Sequence, residues 1–392
     1  VKLYGDKSLI DYTNKFDNVN LNNLIVSDKK INNSENDIDK DLKESINIAF
    51  NNIYKFHKNQ TFNSKKTETT SGVFCWQEKR PIENVGLYIP GGTAPLFSSV
   101  LMLAIPAMIA NCKNIVLCSP PNDNGELHPA ILYCAKLCKV SKVFCVGGAQ
   151  SIAAMSIGTE SIPKVNKIFG PGNQYVTYAK LKSINFNTAI DMPAGPSELL
   201  VLADKNANPS YIASDLLSQA EHGVDSQVIF VSLSKSLINN VEKCINDQIE
   251  NLDRKDFINK SISNSKLIFF DDKTEAVEFI NQYAPEHYII NVENESFFID
   301  SIISAGSVFI GNYTPESAGD YASGTNHTLP TNGNAKQYSG VNLDSFLKTI
   351  TFQKISKDGL LNISKTVETM AEAEGLQAHK NAVSIRVKDL KN

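Results

Sequence analysis

The pattern of apolar and polar positions changes near residue 84. Before it, residues 1–70 read as helical and are rich in Lys and Asn. DLKESINIAFNNIYKF (41–56) is an amphipathic helix, and NNSEND (32–37) is a turn or loop. After it come short apolar runs: NVGLYIPGG (84–92), NIVLCSPP (114–121) and KVFCVGGA (142–149). Helical runs at 95–111 and HPAILYCAKLCKV (128–140) separate them. The alternation resumes with QVIFVSLS (227–234), a helix near 235–250, KLIFF (266–270), a helix near 274–282, HYIINV (287–292) and SVFIGN (307–312); the tail from about 359 is helical. Strand–helix alternation at this spacing predicts parallel sheets covered on both faces, here two α/β units.

The stretch SQAEHG (218–223) breaks the pattern. It follows NPSYIASDLL, where Asn208 suits an N-cap, Pro209 the first helical position and Gly223 the stop. Ile212 and Leu216 mark the buried stripe, and stepping on by three gives Gln219 and then His222. Buried polar groups need partners, either hydrogen bonds or a metal.

Other polar residues stand out by context. Pro285 biases Ala284 to extended backbone and marks a helix-to-strand junction, where Glu286 and His287 can converge as an acid/base set. Asp320 and His327 fall in the long polar stretch YTPESAGDYASGTNHTLPTNGNAK (313–336). Gly375 after Glu374 predicts a helix break. Leu376, His379 and Ala382 then share a face, which places His379 in a core. His57 and His128 sit in polar contexts that read as exposed. Gln219, His222, Asp320 and His379 together offer two imidazoles, a carboxylate and an amide oxygen, a set that would suit zinc or a related ion. The glycine turns YIPGG (88–92), GGAQS (147–151) and GPGN (170–173) could present N–H groups to phosphate, or could be plain strand-to-helix turns. FGPGNQY carries Tyr175 where a dinucleotide fingerprint needs its third Gly.

Composition narrows the class. A chain of 392 residues predicts two domains, with an extra arm possible, and a net charge of −4 excludes a nucleic-acid footprint. Seven cysteines, an odd number, in apolar runs fit free thiols in a reducing compartment, so the location is expected to be cytoplasmic. The longest apolar run, PLFSSVLMLAIPAMIA (95–110), is too short for a membrane span and contains Pro106. No signal peptide is visible, and the chain opens on Val1 rather than Met, so residues are expected to precede it.

GLYIPGGTAPLFSSVLMLAIPA, FGPGNQYV, DMPAGPSELLVLAD, LLSQAEHG, APEH, ESAGDYASGTNHTLPT and EGLQAHKNAVSIR, in this order, resemble the histidinol dehydrogenase family over essentially the whole chain. The chain departs from the family in lacking its opening helical residues. The resemblance implies two Rossmann-like, incompletely doubly wound α/β units with helical N- and C-terminal extensions in an arm-exchanged homodimer. It implies residues 1–87 with 200–341 as one α/β domain, 88–199 as an NAD-contacting α/β domain, and 342–392 as an arm that completes the partner's site. The implied activity is the oxidation of L-histidinol to L-histidine with two NAD and one zinc per site. Gln219, His222, Asp320 and His379 would hold the metal, and Glu286 and His287 would be the acid/base pair. Ser197, His327 and Glu374 would contact substrate together with His287 and the metal ligands. Tyr88, Gln150 and Asn173 would contact NAD. The alternatives are a zinc hydrolase and a dehydrogenase of another amino alcohol.

Overall fold

A computed structural model describes residues 1–61, 64–91 and 95–392. The strands in chain order are β1 Thr67–Thr70, β2 Val73–Pro81, β3 Asn84–Tyr88, β4 Asn114–Ser119, β5 Lys142–Cys145, β6 Lys167–Phe169, β7 Ala189–Ile190, β8 Glu198–Ala203, β9 Gln227–Ser232, β10 Lys266–Phe269, β11 His287–Asn291, β12 Ser307–Ile310 and β13 Leu347–Ile355.

Two five-stranded, wholly parallel sheets form the larger unit, Val1–Gln60 with Ile82–Phe346. The first runs β5-β4-β3-β6-β7 and the second β10-β9-β8-β11-β12. Each therefore has its first strand at the centre, the next two outward on one side and the last two on the other. That is the doubly wound order without its sixth strand. The parallel sheets expected from the strand–helix alternation, and the Rossmann-like order that the resemblance implied, are present in both.

The second sheet shows why a continuous apolar run forms a strand here. In β8 all six residues are buried. Leu199, Val201 and Ala203 pack with Ile212, Leu216 and Val241 of the helices Pro209–Ala220 and Lys235–Ile249. Leu200 and Leu202 turn to the other face, against Ala276 and Ile280 of the helix Lys273–Tyr283. The period of two survives, but both faces are covered, so the polar alternation disappears. In the first sheet, the segment before Asp28 covers the edge strand β5: Val26 N donates to Val143 O and Cys145 N to Leu24 O.

The smaller unit, Thr61–Pro81 with Leu347–Asn392, holds the antiparallel ribbon β1-β2-β13 and the helices Lys357–Ala373 and Gln377–Lys391. Sequence patterning did not anticipate this ribbon, because TFQKI and VFCWQEKRP carry polar and aromatic residues on a mostly exposed surface. The expected boundaries cut through strands. Residue 87 falls inside β3 and residue 199 inside β8, while the C-terminal segment begins at Leu347 and pairs with 73–81.

Several local expectations are corrected. NNSEND is not a loop: Asp28–Asn33 is helical and runs into a 3₁₀ turn at Ser34–Asn36, because Ser27 caps Lys30 N and Ser34 Oγ bonds back to Ile31 O. Ala284 is not extended but left-handed, with φ 56°, because its N–H closes the helix Lys273–Tyr283 onto Ile280 O. The polar stretch 313–336 is not wholly irregular, since Glu316–Tyr321 is a helix. His57 is not exposed; it is wholly buried, with Nδ1 on Gln60 Oε1 at 3.1 Å and Nε2 near Asn326 Nδ2 at 3.4 Å. His128 is exposed and N-caps the helix Pro129–Leu137. All seven cysteines are free thiols. Among the described residues no helix is long and apolar enough to cross a membrane.

Candidate active site

The helix Pro209–Ala220 starts as its sequence predicts, with Asn208 accepting from Ser210 N. It stops three residues before Gly223, so His222 lies in the following turn, its N–H on Gln219 O. Gln219 is completely buried, and neither its Oε1 nor its Nε2 has a partner among the described residues. An unmade hydrogen bond on a buried amide costs about 1–3 kcal/mol. Two on one side chain mark a place built for something else to bind.

The helix that carries Gln219 packs against the helix Glu316–Tyr321, which reaches the amino ends of the second sheet. His287 opens β11 and Glu286 immediately precedes it, so the two do converge, with Nδ1 to Oε2 at 3.6 Å. A bend allows this: Ser307 N donates to Glu286 O at 2.9 Å, and Gly306 lies so close that a Cβ there would come within 2.5 Å of that oxygen. Glu286 Oε2 accepts from Glu198 N at 2.8 Å. His287 Nδ1 lies 3.2 Å from the Glu198 carbonyl. A carbonyl only accepts, so Nδ1 carries the proton and Nε2 is the open nitrogen of the neutral ring.

Two carboxylates complete the cluster from the helix Glu316–Tyr321. Glu316 Oε1 is 3.5 Å from His287 Nδ1, and Asp320 Oδ1 is 3.6 Å from His287 Nε2. These distances are charge contacts rather than hydrogen bonds. Ligand atoms of His287, Glu316 and Asp320 lie within 4.8 Å of one another, all three residues are buried, and neither oxygen of Glu316 has a partner among the described residues. His222 senses the charges of Asp320, His287 and His327.

Burial alone would push the His287 imidazole down, but Glu316, Glu286 and Asp320 outweigh it and raise its pKa to about 10. Burial raises Glu286 to about 8 and Glu198 to about 7. It also lifts Glu316 well above the carboxylate range, while His287 holds Asp320 below it despite burial. One imidazolium thus faces several carboxyl groups that cannot all ionise. Positive charge is what the cluster lacks, and a divalent cation fits these oxygens.

The remaining expected residues divide. His327 has both ring nitrogens engaged, Nδ1 on Asp320 O at 3.0 Å and Nε2 with Ser99 Oγ at 3.1 Å, and so braces the Asp320 helix. Ser197 immediately precedes β8 and accepts from Gln227 N through its carbonyl. Glu374 and His379 belong to the smaller unit and are exposed. His379 is therefore not a core histidine; it sits on the first turn of the helix Gln377–Lys391. Glu198, Glu316 and the Ser99 brace were missed. A Glu heading the wholly apolar run LLVLA, and a Glu four residues before Asp320 on one helical face, were the available signals.

Tyr88, Gln150 and Asn173 gather at the carboxyl ends of the first sheet, where its strand order reverses between β3 and β6. That crevice is where open α/β sheets bind ligands. The Tyr88 hydroxyl lies 3.3 Å from Gly148 N, and Gln150 is buried in the first turn of the helix Gly148–Ile157. Asn173 caps the helix Gln174–Ser183 through Oδ1. Gly92, Thr93 and Ala94 of the YIPGG turn and its continuation lie outside the described residues.

Fold and site define an α/β enzyme with an imidazole–carboxylate centre on one sheet and a switch-point crevice on the other. The sequence profile "Histidinol dehydrogenase" matches residues 1–387. Histidinol dehydrogenase of Bacteroides thetaiotaomicron is 56% identical over 391 residues, covering 100% of this chain and 91% of its own. The chloroplastic enzyme of Arabidopsis thaliana is 52% identical, covering 100% and 84%. The crystal structure of histidinol dehydrogenase from Elizabethkingia anophelis superimposes with a TM-score of 0.97 at 54% identity, over 99% of this chain and 89% of that one. The chain belongs to the histidinol dehydrogenase family and is an oxidoreductase. Betaine aldehyde dehydrogenase from Staphylococcus aureus shares the fold at a TM-score of 0.55 and 12% identity. The named relatives are dehydrogenases, which decides against the hydrolase alternative.

Proposed function

We propose that the enzyme oxidises L-histidinol to L-histidine, the last step of histidine biosynthesis, in two successive two-electron steps with two NAD and one zinc per site. The observations that carry this are the buried, unpartnered Gln219 amide, on a helix packed against the helix Glu316–Tyr321, and the carboxylates clustered around His287. Gln219, His222 and Asp320 would hold the metal together with His379. Since His379 and Glu374 are exposed on the smaller unit, they are proposed to complete the site of a second copy in an arm-exchanged homodimer. Of this set only Asp320 also belongs to the tight His287–Glu316–Asp320 cluster. His287 is the poorer ligand of the two imidazoles because its Nδ1 is tied to the Glu198 carbonyl and its Nε2 is needed as a base. The free thiols and the proposed biosynthetic role support a reducing compartment, proposed to be the cytoplasm.

When bound, NAD would supply the hydride acceptor for each oxidation, and zinc, held by Gln219, His222, Asp320 and His379, would supply positive charge and a template for the substrate. His287 gives up its own proton once the neighbouring carboxylates are neutralised, and its Nε2 then takes the substrate hydroxyl proton. The Glu198 carbonyl holds the ring in the required tautomer throughout. Glu286, at the same strand mouth, takes a proton from the water that must add to the aldehyde carbon before the second oxidation. Its raised pKa lets it both accept and return that proton near neutral pH. Ser197 and Glu374 would bind the substrate's polar ends, with His327 holding Asp320 in place behind them.

Glu286→Gln keeps the acceptor for Glu198 N but has no basic oxygen. It should slow oxidation of supplied histidinaldehyde by about 10²–10³-fold and leave the first hydride transfer within about tenfold, read by single-turnover NADH formation. Equal losses in both steps would remove the assigned water role.

A further inference from the structure

Lys180 and Asp191 form an ion pair that is as buried as any among the described residues. Each side chain is 1% exposed, and Lys180 Nζ lies 2.5 Å from Asp191 Oδ1. Neither residue belongs to the imidazole–carboxylate centre. Two ions so far from water bear a desolvation cost that a pair of apolar side chains of similar size would not, so the pair calls for a reason beyond stability.

Its other bonds supply one. Both ions close on the backbone of a single residue, Gly170, one on each of its two flanking peptides. Asp191 Oδ2 accepts from Gly170 N at 2.7 Å, and Lys180 Nζ donates to Gly170 O at 2.8 Å. Asp191 Oδ1 also takes Met192 N at 2.6 Å, which fixes the carboxylate. Gly170 has φ +126°, and a Cβ there would lie 2.0 Å from Tyr88 O, so only glycine fits between the ends of β3 and β6. The turn then passes Pro171, which has no N–H. It continues through Gly172, where a Cβ would strike Val176 and touch the Tyr88 ring, to Asn173, which caps the next helix. Lys180 lies on that same helix. The charged pair thus ties the first residue of the turn to the helix the turn starts and to the residue just after β7. The N–H and C=O of Gly170 are thereby satisfied within the protein, and the turn that joins Tyr88 to Asn173 is anchored at the switch point.

We infer that the buried Lys180–Asp191 pair is a positioning device for the Gly170–Asn173 turn, and that it sets the affinity for the nicotinamide dinucleotide without touching it. This rests on the proposal that Tyr88, Gln150 and Asn173 bind that nucleotide. Holding the turn in its bound shape removes an ordering cost that a loose turn meets at each binding event.

The test is NADH titration by fluorescence, together with steady-state kinetics, on full-length zinc-loaded enzyme. Lys180→Met should weaken NADH binding and raise the NAD KM by about tenfold or more, while kcat at saturating NAD and the histidinol KM stay within about twofold. A role in folding alone would lower thermal stability and all kinetic constants together. The double variant K180M/D191N removes both charges, so no lone buried ion is left. It should recover folding, judged by circular dichroism and melting, yet still bind NADH weakly. A folded variant, single or double, with NADH affinity within twofold of native overturns the inference. Tyr88→Phe and Asn173→Ala serve as the reference. If these also leave NADH affinity unchanged in an active enzyme, it is the placement of the nucleotide at this crevice that falls.

Discussion

His287→Asn is expected to lower kcat by about 10³-fold while leaving the zinc content at one per site. The asparagine amide can still donate to the Glu198 carbonyl that now holds Nδ1, so the local fold is kept. What disappears is the nitrogen facing Asp320, the atom proposed to take the hydroxyl proton. Loss of a positioned general base typically costs about 10²–10⁴-fold. Retention of activity within tenfold of native would remove His287 from the chemistry. The same variant has a second readout in metal-free protein. His287, Glu286 and Glu198 all have pKa values raised by folding, so the folded state binds more protons than the unfolded chain. Stability contributed by the His287 imidazolium is fully present below its unfolded pKa, about 6.5, and is lost as pH rises through about 10. The metal-free native protein should therefore melt at progressively lower temperature from mildly acidic to alkaline pH, and His287→Asn should flatten the upper part of that slope.

The second large effect concerns how the site is shared. His222→Ala and His379→Ala should each lose bound metal and nearly all activity, because each removes a neutral imidazole from the proposed ligand set. Mixed after dissociation and reassociation, the two inactive proteins should regain activity. Random exchange makes about half of the dimers hybrids, and each hybrid has one site with both defects and one with neither, so recovery should approach about a quarter of native activity. No recovery, with subunit exchange demonstrated by differently tagged chains, would mean that His379 serves its own chain or none.

Much of this was legible in the sequence, for identifiable reasons. The parallel sheets followed from apolar runs separated by helical ones, since a strand covered on both faces has no other pattern. The oddity of Gln219 was visible because the helix Pro209–Ala220 has sound caps and a regular stripe, so a polar residue on that stripe stood out. Glu286 and His287 announced themselves at a junction marked by Pro285. Less legible was whatever depends on partners far along the chain. His57 looked exposed because its neighbours are Lys, Phe and Asn, yet Asn326, 269 residues away, packs on it. Glu198 and Glu316 carried local hints of burial, but nothing near them in the chain pointed to His287 as their common neighbour. The ribbon of Val73–Pro81 with Leu347–Ile355 was hidden because half-exposed strands with Lys, Gln and Thr lack a strong period. Ala284 defied the rule for residues before proline because helix termination by a left-handed residue decided its backbone.

The central claim is that one site carries an alcohol through an aldehyde to a carboxylate without releasing it, using zinc-held substrate and the His287–Glu286 pair. The most direct measurement is the NADH yield at limiting L-histidinol in the presence of an aldehyde trap, with histidine measured in the same sample. Two NADH and one histidine per histidinol, with no trapped aldehyde, is the predicted result. One NADH per histidinol, or aldehyde recovered in the trap in place of histidine, would contradict it.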